Sequence, residues 1–222
     1  MLDADTPTRR TSLSLGEAGI VAAICFSLPI LGSVQAMLAG FPDTPFHDAE
    51  AIYLVVLEVI TAGVALLYLA SRHCDLASLV PRPAVAGTFA GIGLYLIVWL
   101  LDAIVLPAFT TDGVAQPVDR MVDDSTMSPA LVVVVGAVNG LWEETFLLGV
   151  LVRGLRERGL SVAIGLPLLV RVAYHVYQGS AGTVSVLVFG LVMSAWFLRR
   201  GTLWPPVVAH AIGDVVPFMF GA

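Results

Sequence analysis

The sequence predicts an all-α protein, a polytopic transmembrane helix bundle of about seven helices. Composition is the first reason: 58% of the 222 residues are hydrophobic and only 13% are charged, whereas a soluble domain carries about 25% charged residues. The second reason is that the apolar residues fall in blocks close to the roughly 20 residues that a helix needs to cross a bilayer. The third is that the arginines lie between these blocks so that most of them gather on one side of a membrane.

Seven apolar runs follow one another along the chain. They cover residues 18–40, 51–70, 84–107, 129–152, 160–178, 183–198 and 203–221. The first run follows Arg9-Arg10, but it is too long for a signal peptide and more spans follow, so we interpret it as a retained helix. Residues 1–15 are polar and predict a flexible cytoplasmic N-terminus, which leaves 16–222 as one membrane-embedded domain. The 108–128 stretch is the one long loop that we predict.

Arginine positions give the orientation, because cytoplasmic loops of membrane proteins carry an excess of Lys and Arg. The chain has no lysine, so its eleven cationic side chains are all arginines. With a cytoplasmic N-terminus and seven spans, nine of the eleven lie inside and only Arg120 lies outside. We therefore predict a multi-pass protein of the cell membrane with its N-terminus in the cytoplasm.

Charge and cysteine content exclude other classes. The net charge of −6 argues against nucleic acid as a partner, because no basic face is available for phosphates. Two cysteines are too few for a disulfide framework or a zinc knuckle.

Several ionisable side chains fall inside the predicted spans, where each costs at least about 2.5–3.5 kcal/mol on insertion scales. The polar residues there are Glu58, Asn139, Glu143, Glu144, Arg171, His175, His210 and Asp214. Six of them form pairs spaced four apart, in the fourth, fifth and seventh runs, so each pair lies on one helix face. Three helices can thus direct polar faces toward a shared interior.

This set of groups suits the activation of water. A carboxylate shielded from solvent, such as Glu143, can act as a general base, and a neighbouring imidazole such as His175 can share the proton. A second imidazole with a carboxyl group, here His210 with Asp214, can stabilise an oxyanion. Two histidines with a carboxylate would also suit a zinc ion, with Glu143, His175 and His210 as ligands.

Each residue also has a structural interpretation. Glu58 stands outside any motif, so we interpret it as structural, and Asp102 as solvated near the outer end of the third span. Asn139 alone would more often join helices than take part in catalysis. The adjacent Glu143 and Glu144 lie about 100° apart on a helix, so one can face a cavity while the other anchors it.

Three short motifs resemble those of the CPBP intramembrane proteases, the CAAX-processing and bacteriocin-processing group that is also called Abi or Rce1-like. The segment WEETFLLG at 142–149 resembles the first motif, Glu-Glu-x-x-x-Arg. RVAYHVYQG at 171–179 is similar to a variant of the second motif found in some bacterial members. HAIGD at 210–214 is similar to the last motif, His-x-x-x-Asn/Asp. The motifs occur in the family's order within 129–218.

The resemblance implies a membrane-embedded endopeptidase, of glutamate or metallo type, that cleaves a peptide or protein substrate at or near the lipid bilayer. The site residues that it implies are Glu143, Glu144, His175, His210 and Asp214, with Asn139 and Arg171 in support. Glu143 would activate the attacking water together with His175. His210 and Asp214 would form the oxyanion site.

Two departures from the family pattern matter. Leu148 stands where the first motif has its arginine, which removes the expected partner of Glu144. Counting along the spans also puts His175 roughly 10 Å away in depth from Glu143. Arg171 is the only arginine placed well inside a span, so we predict that it replaces the missing arginine and pairs with Glu144, with Glu58 as the competing partner.

Two other functions stay open. A catalytically inactive relative, acting as a membrane scaffold or immunity factor, is favoured by Leu148. A transporter would use Glu58, Glu143 and Arg171 as an ion or proton relay, but transporters often contain internal repeats and none is visible here.

The predicted topology can be tested with reporters. A reporter fused after Ala222 should lie outside the cytoplasm, because seven crossings from a cytoplasmic N-terminus end on the other side. Paired fusions to alkaline phosphatase and a fluorescent protein measure this in cells. A cytoplasmic signal from that fusion would contradict the topology.

Overall fold

The computed structural model describes residues 10–42, 44–110 and 116–221. Across these residues the protein is almost entirely helical, and an isolated bridge between Arg10 and Cys74 is the only β-type pairing. The predicted all-α class is therefore confirmed. Residues 1–9 of the predicted N-terminal segment and residues 111–115 of the predicted loop lie outside the described residues.

In the part of the chain that the structure describes, each of the seven apolar runs overlaps one α-helix, and one short helix is added to these seven. The helices are α1 (Leu15–Leu38), α2 (Asp48–Ser71), α3 (Val85–Val105), α4 (Pro117–Asp123), α5 (Pro129–Glu144), α6 (Leu160–Ala173), α7 (Gly179–Arg200) and α8 (Trp204–Phe220). The short helix α4 lies inside the stretch 108–128 that was predicted as a loop. A proline at its first turn and a capping box at Gln116 and Asp119 start it.

Within the described residues, five segments are long and apolar enough to cross a membrane. They are α1, α2, α3 with the turn that follows it, α5 with its π-helical continuation, and α7 with the turn that precedes it. Helix α6 is a shorter apolar helix, and α8 has 17 residues. The chain is thus a multi-pass membrane protein with five candidate spans, and the predicted number of seven is not confirmed.

The start of the described chain is anchored to the helix ends beside it. Arg10 binds Glu17 in the first turn of α1, and Arg72 binds the same carboxylate at 2.9 Å. The Leu13 amide donates to the carbonyl of Gly154 at 2.8 Å. Arg10 and Leu13 of the predicted N-terminal segment therefore contact the end of α2 and the chain that follows the α5 region, at one end of the bundle.

A π-helix at Thr145–Val152 continues α5 directly after the paired glutamates. It is buried, and its Leu148 packs in an apolar cluster with residues of α3, α7 and α8, such as Met193 and Leu203. Such wide turns occur often at functional sites. The position at which the first motif carries arginine thus faces an apolar core in this protein, where leucine fits and a charged side chain would be costly.

Helix α8 packs against α3 on one side and α5 on the other, with very close backbone approach. A Cβ atom on Gly91 of α3 would lie 2.7 Å from the carbonyl oxygen of Pro205. One on Gly140 of α5 would lie 3.1 Å from the amide nitrogen of Ala211. Small residues permit such contacts between membrane helices. This packing brings the polar face of α8 against that of α5.

The close approach predicts a position-specific loss of stability. Gly91→Ala should lower the free energy of unfolding by about 1–3 kcal/mol, because the new methyl group overlaps α8. Gly93→Ala on the same helix is the matched control, since no atom lies within 4 Å of its Cβ position. Reversible unfolding in mixed micelles measures both variants. Equal stability of the two would contradict this packing.

Candidate functional site

Helices α5, α6 and α8, with the turn after α6, bring polar side chains together into one cluster. Its members are Asn139, Glu143, Glu144, Arg171, Tyr174, His210 and Asp214. Most of them are buried: the exposed fraction is 2% for Glu143, 0% for Glu144 and 6% for His210. The structure thus brings together six of the seven residues predicted from the sequence and adds Tyr174.

Arg171 connects α6 to both glutamates of α5. Its Nη2 donates to Glu144 Oε1 at 2.6 Å, and its Nη1 lies 3.5 Å from Glu143 Oε2. The guanidinium also lies 5.1 Å from the ring centroid of Phe189 on α7, a cation–π contact. The predicted pairing of Arg171 with Glu144 is confirmed, so an arginine on α6 occupies the role that Leu148 leaves open on α5.

Glu144 also fixes the histidine of α8. His210 Nδ1 donates to Glu144 Oε1 at 2.7 Å, since an ionised carboxylate only accepts. The other ring nitrogen, Nε2, lies 3.6 Å from Asp214 Oδ1 and 3.7 Å from Glu143 Oε2. Glu144 is therefore an anchor for a cation and an imidazole, and Glu143 is the neighbouring carboxylate beside them.

Asn139 and Asp214 close the cluster on one side. Asn139 Nδ2 donates to Asp214 Oδ2 at 2.8 Å and lies 3.5 Å from His210 Nε2. The side chain of Asp214 is 29% exposed. Asp214 is therefore more exposed than His210, the buried residue beside it.

Tyr174 was not predicted as a site residue. It follows the last residue of α6, is buried, and its hydroxyl donates to Glu143 Oε2. Its ring stacks on Phe26 of α1, with centroids 5.1 Å apart. The sequence indicated only that an aromatic residue precedes the histidine of the second motif. This pattern does not predict a role for the hydroxyl group of Tyr174.

His175 lies beside the cluster rather than on the helix that carries Arg171. Helix α6 ends at Ala173, two residues before it, so the prediction that both side chains share one helix face is wrong. His175 Nδ1 donates to the Arg171 carbonyl at 2.9 Å, and its ring centroid lies 4.3 Å from that of Tyr174. In the neutral ring the lone pair then resides on Nε2.

Among the described residues, one group could bring three ligand atoms to a metal ion. It consists of Glu143, Glu144 and His210, whose ligand atoms lie within 4.8 Å of one another. The predicted zinc set contained His175 in place of Glu144. Although Glu144 Oε2 has no hydrogen-bond partner among the described residues, the set fits zinc poorly, because Oε1 of the same carboxylate already accepts from Arg171 and His210. A permanently charged guanidinium also lies where a dication would be repelled.

Two further acids lie elsewhere in the bundle. Glu58 on α2 is 1% exposed, and neither of its carboxyl oxygens has a hydrogen-bond partner among the described residues. It interacts electrostatically with Glu143, Asp214 and His210 rather than pairing with Arg171. Asp102, predicted to be solvated, is half-buried and accepts a hydrogen bond from Ser185 Oγ at 2.6 Å.

The ion pair predicts an asymmetric double-mutant cycle. Arg171→Leu should lower the free energy of unfolding by about 3–5 kcal/mol, because it leaves a buried carboxylate without its cation. Adding Glu144→Leu should recover much of that loss, although His210 then loses its acceptor. Adding Glu58→Leu to Arg171→Leu is the control and should recover nothing specific. Unfolding in mixed micelles measures each variant, and coupling of Arg171 to Glu58 but not to Glu144 would contradict the pairing.

Comparison with known proteins agrees with the motifs. Residues 125–216 match the family model described as type II CAAX prenyl endopeptidase Rce1-like. No curated protein and no solved structure gives a significant match. The matched segment contains every residue of the cluster described above. The resemblance first indicated by three short motifs is therefore confirmed for residues 125–216, which are similar to the Rce1-like CAAX prenyl endopeptidases.

Proposed function

We propose that this protein is an intramembrane endopeptidase that hydrolyses a peptide bond at or near the membrane, with Glu143 as the residue that activates water. The observation that carries this proposal is the buried cluster of Glu143, Glu144, Arg171 and His210 within the family-matched segment. Ionisable groups at membrane depth are costly to bury, so a cluster of four of them is typical of a functional site.

Glu143 acts first as a general base. It takes a proton from a water molecule while the water oxygen attacks the peptide carbonyl, and it returns that proton to the amine that leaves. His175 holds the same water through Nε2, since its Nδ1 is engaged by the Arg171 carbonyl. Arg171 keeps the negative charge of Glu143 compensated in the resting site, at 3.5 Å from Oε2.

His210 and Asp214 stabilise the tetrahedral intermediate. Glu144 holds the imidazole by its Nδ1, so a protonated His210 directs Nε2–H toward the developing oxyanion. Asp214, itself held by Asn139, lies 3.6 Å from Nε2 and supports the charged ring. The donors are fixed before the substrate arrives, which is the condition under which such groups lower a barrier.

The main alternative is an inactive relative that acts as a scaffold or immunity factor. The feature that favours it is Leu148, because the family's arginine is absent there. The pairing of Arg171 with Glu144 at 2.6 Å weakens this argument, since the charge is supplied from another helix. A transporter finds less support, because the buried acids lie in one compact cluster with an arginine and a histidine.

For the membrane arrangement, we propose that α6 and α8 cross together with the five candidate spans, which gives seven crossings in a single domain. Helix α8 carries His210 against α5 in the interior, so it has to reach the same depth. Three segments predicted as cytoplasmic meet at one end of the bundle: Arg10 binds the His73 carbonyl, Leu13 binds that of Gly154, and Arg153 binds that of Ser78. This common end supports a cytoplasmic N-terminus.

The function is tested by peptide cleavage in liposomes. Glu143→Gln keeps the size of the side chain but removes the base, so turnover should fall by about 10²–10⁴-fold. Asp102→Asn is the matched control, because it makes the same change at a half-buried acid that binds Ser185, and it should retain activity. Unchanged turnover in Glu143→Gln would exclude Glu143 as the base, and an inactive wild type across a peptide library would favour the scaffold.

Metal dependence is tested in the same assay. Cleavage should be insensitive to a chelator and to added zinc, because Arg171 supplies the positive charge between the two glutamates. Peptide turnover before and after chelation, with readdition of zinc, measures this. Loss of cleavage on chelation with recovery on zinc would contradict the metal-free site.

A further inference from the structure

We propose that Tyr174 is a positioning residue for Glu143: its hydroxyl holds one carboxylate oxygen, Oε2, and thereby presents the other, Oε1, to the reacting water. This inference rests on the proposed role of Glu143 as the base. It assigns a task to a tyrosine that neither the motifs nor the charge pattern marked as functional.

The contacts of Glu143 are unequally shared between its two oxygens. The Tyr174 hydroxyl donates to Oε2, Arg171 Nη1 lies 3.5 Å from the same atom, and His210 Nε2 lies 3.7 Å from it. Arg171 and Tyr174 approach from the C-terminal end of α6, and His210 approaches from α8. Because a carboxylate rotates about its last bond, anchoring one oxygen fixes where the lone pairs of the other point.

Tyr174 is itself held rigidly. Its ring stacks on Phe26, with an interplanar angle of 16°, and also contacts the ring of His175. Phe26 is 0% exposed and also contacts Trp142, the residue next to Glu143, at 4.7 Å between centroids. An aromatic stack therefore sets the position of the hydroxyl, and α1 contributes to the geometry of the site without providing a polar group to it.

A phenol differs from the other neighbours of Glu143 because it is a neutral donor. Arg171 compensates charge, whereas Tyr174 supplies direction without adding a cation. Its hydroxyl contacts the proposed base directly. Loss of the hydroxyl should therefore affect the chemical step and leave substrate binding largely unchanged.

The test uses the full chain in liposomes with a cleaved peptide. Tyr174→Phe keeps the stacked ring and removes the hydroxyl, so kcat should fall by about 10- to 100-fold while KM stays within about twofold. Tyr177→Phe is the matched control, since this tyrosine lies three residues on and its hydroxyl contacts Gln178 at 3.5 Å rather than Glu143. Both kinetic constants of the control should stay at the wild-type values.

A second measurement separates this inference from the proposed function. In a Glu143→Gln background, adding Tyr174→Phe should cause no further fall in the residual kcat, because the hydroxyl acts through that carboxylate. Activity that survives Glu143→Gln would overturn the proposed function itself. Activity lost in Glu143→Gln but unchanged in Tyr174→Phe would overturn only the role of Tyr174, as would a change confined to KM.

Folding is monitored by the melting temperature in detergent. If Tyr174→Phe does not fold, Phe26→Leu decides the question, because it loosens the stack and leaves the hydroxyl in place. We expect kcat to fall by about three- to tenfold in that variant, with KM unchanged. A wild-type kcat in Phe26→Leu would overturn the inference.

Discussion

The buried ion pair between Arg171 and Glu144 is the interaction on which the site depends. Glu144 Oε1 accepts from Arg171 on α6 and from His210 on α8, so a single oxygen atom joins three helices. In a medium that excludes water, neither charge is tolerated without the other. The remaining polar groups are arranged around this pair. Glu143 Oε2 lies 3.5 Å from Arg171 Nη1, and the hydrogen bond to Glu144 orients the ring of His210.

Packing makes this arrangement possible, because charged groups can meet only if their helices approach closely. Gly136 and Gly140 on α5 lie against the backbone of α8, where a Cβ atom on either would lie 3.1 Å from a backbone atom. The π-helix after Glu144 then carries Leu148 into the apolar cluster of α3, α7 and α8. Small and apolar residues thus form the contacts of the α5 region with α3, α7 and α8, and the positive charge that pairs with Glu144 is provided by Arg171 on α6.

Much of the fold could be predicted because membrane helices are recognised in a sequence by their length and apolar composition. Each of the seven apolar runs overlaps one α-helix. The partner of Glu144 could be predicted as well. An arginine inside a span has few options, so the need to pair charges pointed to Arg171. The gathering of Glu143 with His210 followed from the four-residue spacing of polar residues along α5 and α8.

The rest left no comparable signal. The π-helix is a change of hydrogen-bond register within an apolar run, and composition does not record it. Helix α6 ends at Ala173, inside the apolar run 160–178, so His175 was wrongly placed on the same helix as Arg171, and Tyr174 was overlooked. Both errors have one cause. Which side chains at a helix end point toward the site depends on the residue at which the helix ends, and hydrophobic periodicity does not locate that residue to within one position.

The transfer of the arginine from α5 to α6 also bears on how the protein is made. Synthesis runs from the N-terminus, so Glu143 and Glu144 emerge before Arg171 exists. In a chain with an arginine at position 148, Glu144 and its cationic partner would lie on the same helix, and their charges would be paired when that helix enters the bilayer. Here α5 arrives alone with two carboxyl groups that hydrocarbon disfavours. With α6 crossing the membrane as proposed, we expect the two helices to insert together as a hairpin, because Arg171 then compensates the carboxyl groups of α5.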